Sequence, residues 1–533
     1  MSVVALRCYW FFAHYTSAKL VDDALMWQRY AANLLSGHGV SWNVADGPVY
    51  GLTSLGYLLV AIPAHLLAPT NAVRGAELGG IGSAVLYLAC SSALIFVACG
   101  AGASIWRSGA AFVLALIYPL LHEGFQLVLV GGMDTAFSCS LVCIFLILLI
   151  RAYEGRLSAW WLVALAPLLY VTRPEAGLYV AAALIVMLAK RGRSGMRQSA
   201  TQIAVCGILF AITLLGLKSV FKTAIPLPAL AKSYGHYTDN FGWIYRMIAK
   251  EFLGNYLIGY GWLILLAIGM SVILVRRRAE SASLALGLLT TGLLYVAYIH
   301  FGVMQIMGHG ERFFFPTVPA FLVVVGLGIR ALVQKPMPVS TAALSAAGVL
   351  ALGASALALT GHPHPDGTLE SFFNQQGKQV WPALPIVAAQ GLTRTAATDV
   401  GLMGVMMPSA SIVDLAGLND YEIATQGFRA EEFLEKRQPE LIYCHLSYQS
   451  ISDALVDAPG FLEDYEAYHL IEPATRLNVF VRRDAPGFAV MDMAFAAEEE
   501  SLLDSKFSSK EALDRRFDRQ LAATQSLFTV FRP

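Results

Sequence analysis

Long apolar runs alternate with short polar connections along the first two thirds of the chain. Uninterrupted stretches such as LVCIFLILLI and AFLVVVGLGI have the character of bilayer-spanning helices, which need about 17–25 apolar residues. Basic residues gather in a few connections, most densely at 190–197 and 276–278, and such clusters mark the cytoplasmic ends of spans. Alternation between these ends predicts spans at residues 78–100, 108–122, 134–150, 157–172, 175–189, 201–220, 256–275, 283–301, 313–333 and 340–360.

The N-terminal segment is a weaker candidate. Residues 3–20 are apolar but contain Arg7, His14 and Lys19, so we predict a short first span there. A cleaved signal peptide is the alternative, but no A-x-A-like cleavage site precedes Asp22.

The apolar run at residues 50–68 differs from the others, because it contains Pro63 and His65 and is rich in Gly and Ser. A full crossing here would place Asp22 on the opposite face from the other polar loops. We therefore predict an interfacial or re-entrant helix on the outer face. The whole pattern predicts a polytopic α-helical membrane protein of about eleven transmembrane helices, with its N-terminus inside and its C-terminus outside.

The character of the chain changes after about residue 360. Strand-like alternation appears in PELIYCHL and RLNVFVRRD, and charged helical patterns appear in EEFLEKR and in residues 498–525. We predict a transmembrane domain at 1–361, with an outer loop and interfacial helices at 22–68, and a soluble α/β domain at 362–533 on the outer side of the membrane.

Composition excludes several function classes. Hydrophobic residues make up 56% and charged residues 14% of the chain, where a soluble protein carries about 25% charged residues. The formal net charge is zero, which argues against a nucleic-acid partner. The seven cysteines show no Cys-x-x-Cys or Cys/His spacing, so neither a disulfide framework nor a structural zinc site is indicated.

Polar residues that could do chemistry gather at the predicted outer ends of spans. Five such clusters are Asp22-Asp23 with Arg29, Gly132-Met133-Asp134-Thr135, Arg173-Pro174-Glu175, Lys232 with Ser233 and Tyr234, and His309 with Glu311 and Arg312. Ionisable groups are costly beside hydrocarbon and so indicate function. Each cluster also has a purely structural interpretation: Asp22-Asp23 and Asp134 as helix caps, Arg173 with Glu175 as a structural ion pair, and Lys232 as a snorkelling side chain.

Carboxylates beside cations at a membrane boundary suit transfer of a sugar from a polyprenyl-phosphate donor. Cations would bind the phosphate and stabilise the departing polyprenyl phosphate. A carboxylate would take the proton of the acceptor hydroxyl. No P-loop or dinucleotide-binding signature is present.

Several motifs together resemble bacterial GT-C glycosyltransferases, in particular the mycobacterial terminal arabinofuranosyltransferase group and its relatives. The first outer loop carries Asp22-Asp23-Ala24, Arg29-Tyr30-Ala31-x-Asn33-Leu34, Gly37-His38-Gly39 and Asn43. Later matches are Tyr50-Gly51-Leu52-Thr53-Ser54-Leu55, Gly132-Met133-Asp134-Thr135, Arg173-Pro174-Glu175-Ala176-Gly177, and Arg312 with Pro316 and Pro319. The C-terminal domain adds Asp399-Val-Gly401-Leu-Met-Gly404 and Asp414-Leu-Ala-Gly417-Leu-Asn-Asp420.

One motif departs from the family. Its Pro-Asn-Thr-x-x-Ala-Lys sequence appears here as Pro226-Leu-Pro228-Ala-Leu-Ala231-Lys232. The Asn and Thr are therefore missing, and an arabinose donor does not follow from the resemblance.

The resemblance implies a role for each candidate residue. Asp22 would be the general base, and Asp23 a second base or the group that orients the acceptor or a divalent cation, the only cofactor indicated. The remaining candidates would bind the donor phosphate or sugar: Arg29, Asp134, Arg173, Glu175, Lys232, His309 and Arg312. The implied partners are a polyprenyl-phosphate sugar, a glycan or lipid-linked acceptor, and the inner membrane of a bacterium, in cell-envelope biogenesis.

Two other functional classes fit parts of the pattern. A transporter or flippase for a lipid-linked saccharide would also need polar residues within a helical bundle. Such a carrier places them near the midplane, whereas here they gather on one face. A non-catalytic envelope assembly protein would use the same charges only for structure.

Overall fold

The chain forms a helical membrane domain followed by a small α/β domain, as the sequence predicts. The computed structural model describes residues 21–101, 104–117, 131–233, 242–303, 312–334, 383–445, 448–470 and 477–504. The predicted boundary at 361–362 lies outside these residues.

The described part of the membrane domain is almost entirely helical. Its helices are α1 (Asp22–Leu35), α2 (Leu58–Leu67), α3 (Ala72–Cys99), α4 (Ile105–Ile117), α5 (Thr135–Tyr153), α6 (Trp160–Thr172), α7 (Gly177–Arg191), α8 (Met196–Phe221), α9 (Leu227–Ser233), α10 (Gly242–Arg276), α11 (Ala282–Gly302) and α12 (Val318–Gln334).

The predicted spans between residues 78 and 333 coincide with helices in their described parts, the one at 108–122 as far as Ile117. Among the described residues, six helices are long and apolar enough to cross a membrane: those at 72–99, 135–153, 193–221, 249–276, 282–302 and 315–333. The total of about eleven spans stays a prediction, because the segments predicted at 3–20 and 340–360 lie outside the described residues.

Small residues allow close packing between the membrane helices. A methyl group on Gly326 of α12 would lie 2.6 Å from Cβ of Ala98 in α3, and one on Gly328 would lie 2.6 Å from Cβ of Met270 in α10. Glycine at such positions lets helix backbones approach closely where lipid offers no hydrophobic driving force. These contacts hold the second half of α12 close to α3 and α10.

The outer loop between α1 and α3 lies along the end of the bundle. Helix α2 contains only 10 residues, with Pro63 inside it, and at about 1.5 Å per residue it is too short to span a bilayer. Leu59, Leu66 and Leu67 are exposed. An exposed leucine edge on a short helix is what the predicted interfacial helix requires.

The C-terminal domain is a five-stranded mixed sheet with helices around it. Its strands are β1 (Arg394–Ala397), β2 (Ser411–Asp414), β3 (Leu441–Tyr443), β4 (Tyr465–Tyr468) and β5 (Val479–Arg482), in the order β2-β1-β3-β5-β4. Strands β2, β1 and β3 run parallel, and β5 is antiparallel to both β3 and β4. The strands predicted in PELIYCHL and RLNVFVRRD are β3 and β5.

Short helices connect these strands. They are α13 (Leu384–Ala388), α14 (Gly401–Met406), α15 (Tyr421–Gln426), α16 (Ala430–Arg437), α17 (Gln449–Val456), α18 (Phe461–Asp464) and α19 (Phe488–Asp504). The helix predicted in EEFLEKR is α16. The helix predicted at 498–525 is confirmed as far as Asp504, and its remainder lies outside the described residues.

The outer loop of the membrane domain covers the edge strand β2. Trp42 Nε1 donates to the Ile412 carbonyl at 2.9 Å. The Asn43 side chain donates to the same carbonyl at 3.1 Å and accepts from the Ile412 amide at 2.9 Å. Asn43 therefore occupies the place of a neighbouring strand. The two domains meet through hydrogen bonds at the end of the bundle where the candidate residues lie.

Candidate functional site

Asp22 begins α1 and holds the sheet domain. Its Oδ2 accepts from the Gly401 amide at 2.7 Å, and its Oδ1 accepts from the Leu402 amide at 2.8 Å. The helix cap is Val21, without a side-chain cap bond, so Asp22 and Asp23 do not serve as N-caps. Burial raises the pKa of Asp22 to about 6, and Asp23 adds to the rise while the two amides oppose it.

Asp23 faces a different partner. Its Oδ2 accepts from Arg312 Nη2 at 3.3 Å, across the bundle between the start of α1 and the segment before α12. The two adjacent carboxylates thus have separate environments: backbone amides surround Asp22, and a guanidinium faces Asp23.

Arg312 is a buried cation with unused donors. Its residue is 5% exposed, yet neither its Nε nor its Nη1 has a hydrogen-bond partner among the described residues. A buried N–H without a partner costs about 1–3 kcal/mol, more for a charged group. Such a group is a candidate ligand for an anion that reaches the site from outside the protein.

Arg173 is fully engaged by neighbouring carboxylates. Its Nε lies 2.9 Å from Asp134 Oδ2, its Nη2 donates to Asp134 Oδ1 at 3.1 Å, and its Nη1 donates to Glu175 Oε1 at 3.2 Å. Burial alone would lower the pKa of Arg173, but these two carboxylates hold it above its usual value. Asp134 makes no cap bond to α5, so its role is this bidentate ion pair.

Lys232 lies at the end of the short helix α9. The Leu227 amide, at the start of α9, donates to the Tyr50 carbonyl at 2.8 Å, and α9 packs against α15 of the sheet domain. The pKa of Lys232 is lowered to about 8, mainly by burial. The positive charges of Arg312 and Arg173 contribute to the lowering, and Asp23 and Asp134 oppose it.

The ring of Phe313 lies among the three cations. Its centroid is 5.1 Å from Cζ of Arg312, 5.4 Å from Nζ of Lys232 and 5.9 Å from Cζ of Arg173. The negative face of an aromatic ring attracts a cation at these distances. Phe313 therefore helps three like charges to remain together. Phe313 was not among the candidates predicted from the sequence. Its position directly after Arg312 is the one signal that could have identified it.

A 3₁₀ turn fixes the segment that carries Arg312 and Phe313. Residues Phe315–Thr317 form this turn before α12. The Tyr179 hydroxyl donates to the Pro316 carbonyl at 2.9 Å, and the Thr317 hydroxyl donates to the Phe314 carbonyl at 2.6 Å. These bonds anchor the segment to the bundle.

Arg29 does not join this cluster. Its guanidinium donates to the carbonyls of Trp42, Gly404, Met407 and Ala410, at 2.7–3.1 Å, and to Asn43 Oδ1 at 3.3 Å. Its Nη1 and Nη2 connect α1 with the sheet domain, and its Nε donates to the outer loop. Burial lowers its pKa to about 10. The structure thus places Arg29 in the domain contact instead of beside the other cations. His309 lies outside the described residues.

Asp399 and Asp414 lie at the ends of β1 and β2, where the sheet domain meets α1. Asp414 accepts from the amides of Ala416 and Asn419 at 2.9 and 3.0 Å, so it shapes the turn after β2. Burial, with Asp22 and Asp23, raises the pKa of Asp399 well above its usual value. His445 Nε2 lies 4.0 Å from Asp399 Oδ2.

The described residues contain no group of three or more His, Cys, Asp or Glu side chains arranged to hold a metal ion. Asp22 and Asp23 each have protein partners already. The divalent cation that the sequence suggests stays a prediction.

The arrangement as a whole separates two kinds of chemistry. Arg312 and Lys232 present positive charge, Arg312 has N–H groups without a partner in the described part of the chain, and Asp22 presents a carboxylate fixed by backbone amides. Asp23 lies between the cations and Asp22 and accepts a hydrogen bond from Arg312. Such a site can bind an anion beside a group able to accept a proton.

The fold is similar to two crystal structures of ArnT from Cupriavidus metallidurans, one in the apo state and one bound to undecaprenyl phosphate. The apo structure has a TM-score of 0.51 and 13% identity, covering 92% of this chain and 98% of that one. The bound structure has a TM-score of 0.51 and 12% identity, covering 90% of this chain and 97% of that one. No protein-family model and no curated protein sequence matches this chain. Since the similarity extends over nearly the whole of both chains, this protein has the GT-C-like fold that the sequence predicts, a multi-helix membrane domain with a C-terminal α/β domain.

Proposed function

We propose that this protein is a membrane glycosyltransferase that moves a sugar from a polyprenyl-phosphate donor to a periplasmic glycan or lipid-linked acceptor. The observation that carries the proposal is the buried Arg312 guanidinium, whose Nε and Nη1 have no partner within the described part of the chain. It lies near Lys232, whose Nζ is 5.4 Å from the centroid of the Phe313 ring. A guanidinium with unused N–H groups beside an ammonium suits a phosphodiester at headgroup depth.

The reaction requires a base and a stabilised leaving group. The acceptor hydroxyl gives its proton to the Asp22 carboxylate while its oxygen forms the new bond to the anomeric carbon. The bond between that carbon and the phosphate oxygen breaks, and its electron pair leaves on the polyprenyl phosphate. Arg312 and Lys232 stabilise the negative charge on that oxygen.

Asp22 is the better candidate for the base. A general base works best when its pKa lies near the working pH, and the pKa of Asp22 is raised to about 6. Each of its oxygens accepts one amide, so each retains a second lone pair for the acceptor. Asp23 is already paired with Arg312, and its role in this mechanism is to orient that guanidinium.

The remaining carboxylates hold cations in place. Asp134 and Glu175 fix Arg173, which keeps positive potential near the donor. His309 is retained as a further phosphate ligand on the strength of the sequence. Placement of the C-terminal domain on the periplasmic face of a bacterial inner membrane is part of the same proposal.

The donor sugar proposed here is not arabinofuranose. Leu227 and Pro228 stand where the resembling group has Asn and Thr. Leu227 is fully buried, so these positions offer a sugar no side-chain hydrogen bond. The fold similarity to ArnT supports a polyprenyl-linked donor in general, since one of those structures holds undecaprenyl phosphate.

Sugar transfer by the purified protein in lipid vesicles tests the proposal. The protein and its Asp22→Asn variant would receive a panel of radiolabelled polyprenyl-phosphate sugars with a periplasmic glycan acceptor. Transfer from one donor, lost in the variant, is expected. If both proteins were inert with every donor while the lipid-linked sugars crossed the bilayer, the protein would be a transporter instead.

A further inference from the structure

The sheet domain reaches the proposed base through one short segment. Residues 399–404 follow β1 and include the first turn of α14, and the amides of Gly401 and Leu402 in this segment donate to the two oxygens of Asp22 at 2.7 and 2.8 Å. These donors are separated from Asp22 by 379 and 380 positions. The orientation of the Asp22 carboxylate thus depends on the far end of the chain.

Two glycines make this approach feasible. A Cβ atom on Gly401 would overlap the Asp22 carbonyl oxygen, and one on Gly404 would lie 2.6 Å from Cη2 of Trp42. Real Cβ atoms essentially never come so close to other heavy atoms. Gly401 therefore allows the contact with α1, and Gly404 allows the contact with Trp42 in the loop after α1.

The opposite side of Asp22 is fixed by the membrane domain. The Val21 amide donates to the Gly131 carbonyl at 3.2 Å, which holds the start of α1 beside the turn that leads to Asp134. Among the described residues, the ionisable groups that act on Asp22 are Asp23 from α1, Asp399 from the segment itself and Tyr443 from β3. None of these three is a cation, so within this part of the chain the two amides favour the ionised carboxylate.

We infer that the 399–404 segment is a positioning element for the catalytic base, and that the sheet domain is therefore part of the transferase centre instead of a separate glycan-binding module. Gly401 and Leu402 act through Asp22 and do not touch the donor. This inference rests on the proposed function.

The physical consequence concerns both geometry and proton affinity. Two fixed N–H donors hold the carboxylate plane in one orientation, and displacement of a catalytic group by about 1 Å can cost roughly 100-fold in rate. The same donors favour the ionised form, so their loss raises the pKa of the base while Asp23 and Asp399 remain nearby.

The test uses the full chain in lipid vesicles with two variants that disturb the donors differently. Gly401→Ala pushes the segment away from Asp22. Leu402→Pro removes a single N–H, and proline is tolerated in the first turn of a helix. Gly207→Ala is the matched control, because its Cβ would meet nothing within 4 Å.

The readout is kcat/KM for sugar transfer as a function of pH. Both variants are expected to lose roughly 10- to 100-fold in kcat. The acidic limb of the profile is expected to shift to higher pH in both, because the pKa of the base rises. The control keeps the wild-type profile. Gly404→Ala, which disturbs the contacts with Trp42 and Arg29 but not those with Asp22, should lower stability without shifting the acidic limb. A merely structural role for Gly401 and Leu402 would change the amount of active protein and leave the limb where it is.

The outcomes separate the two proposals. If the wild type transfers sugar and both variants retain its acidic limb, the positioning role is wrong and the proposed function stands. If the wild type transfers nothing from any donor, the proposed function fails and the positioning role fails with it.

Discussion

Arg312 donates from Nη2 to Asp23 Oδ2 at 3.3 Å, and this contact joins residues 289 positions apart. It brings the start of α1 and the segment before α12 to one place at the end of the bundle. The ion pair uses one nitrogen of Arg312 and leaves Nε and Nη1 without partners among the described residues. The pair therefore orients the guanidinium without consuming it.

Removal of the Asp22 carboxylate should abolish transfer while the fold persists. Asp22→Asn keeps the shape of the side chain but cannot accept a proton, so we expect kcat to fall by about 100- to 10,000-fold. Single-turnover transfer by the reconstituted protein measures this. Asp457→Asn, an exposed aspartate of the sheet domain, is the control. A variant that retained more than a tenth of the wild-type rate would show that Asp22 is not the base.

Loss of the planar guanidinium of Arg312 should weaken binding of the polyprenyl-phosphate donor more than it lowers kcat. Arg312→Lys keeps the charge but loses the planar donors that match a phosphate, so we expect KM for the donor to rise roughly 10- to 100-fold. Asp23→Asn should give a smaller change in the same direction, because it only frees the guanidinium to move. Titration with the polyprenyl-phosphate donor measures both. An unchanged KM in Arg312→Lys would contradict the phosphate role.

The pH profile of kcat/KM should be bell-shaped. Asp22 must be ionised to act as base, and since its pKa is raised to about 6, activity should fall as the pH drops below that value. Lys232 must be protonated to attract the phosphate, and since its pKa is lowered to about 8, activity should also fall above that value. Kinetics between pH 5 and 9 at constant ionic strength would check both limbs. In Lys232→Arg the alkaline limb should shift to higher pH, because arginine stays protonated where lysine does not. An unchanged alkaline limb would show that it does not arise from Lys232.

Phe313 should matter more than its apolar character suggests. In Phe313→Leu the three surrounding cations lose an attraction of about 2 kcal/mol for a desolvated cation–π contact, so we expect weaker donor binding by roughly tenfold. Phe301→Leu is the matched control, because Phe301 is 84% exposed. Equal donor affinity in the two variants would show that Phe313 is only a packing residue.

Arg29 should stabilise the contact between the domains. Arg29→Lys removes most of its hydrogen bonds to the carbonyls of Trp42, Gly404, Met407 and Ala410, and each lost bond to a charged group costs about 1.5–3 kcal/mol. We expect faster proteolysis within the sheet domain and a lower Tm. Arg429→Lys, at an exposed arginine of the same domain, is the comparison. Identical proteolysis rates in the two variants would refute this role.

The sequence predicted the membrane helices and the α/β domain, but not the partners of individual residues. Apolar runs located the spans because span length and hydropathy are local properties. The Asp22-Asp23 pair was visible for the same reason, as adjacent carboxylates are rare at a membrane surface. Asp134 was identified as a candidate, yet its pairing with Arg173 could only be seen once α5 and α6 were placed side by side.

Contacts between distant segments could not be predicted from local pattern. Arg29 looked like a phosphate ligand, because its sequence neighbours are those of an outer loop. Its five acceptors include carbonyls 375 to 381 positions away, and a backbone carbonyl leaves no mark in the amino-acid sequence. Phe313 was not predicted, because an aromatic residue at the start of an apolar helix is usually interpreted as part of the hydrophobic core.

The bond between Asn43 and β2 has a consequence for how the protein is made. Asn43 and Trp42 emerge early in synthesis, and Ile412 follows some 370 positions later. At about 5–20 residues per second, the outer loop waits many seconds with its hydrogen-bonding groups facing water or headgroups. When the sheet domain arrives, the waiting loop covers the edge strand that would otherwise invite another chain to pair with it. A segment that is made earlier thereby protects an edge strand that is made later from pairing with another chain.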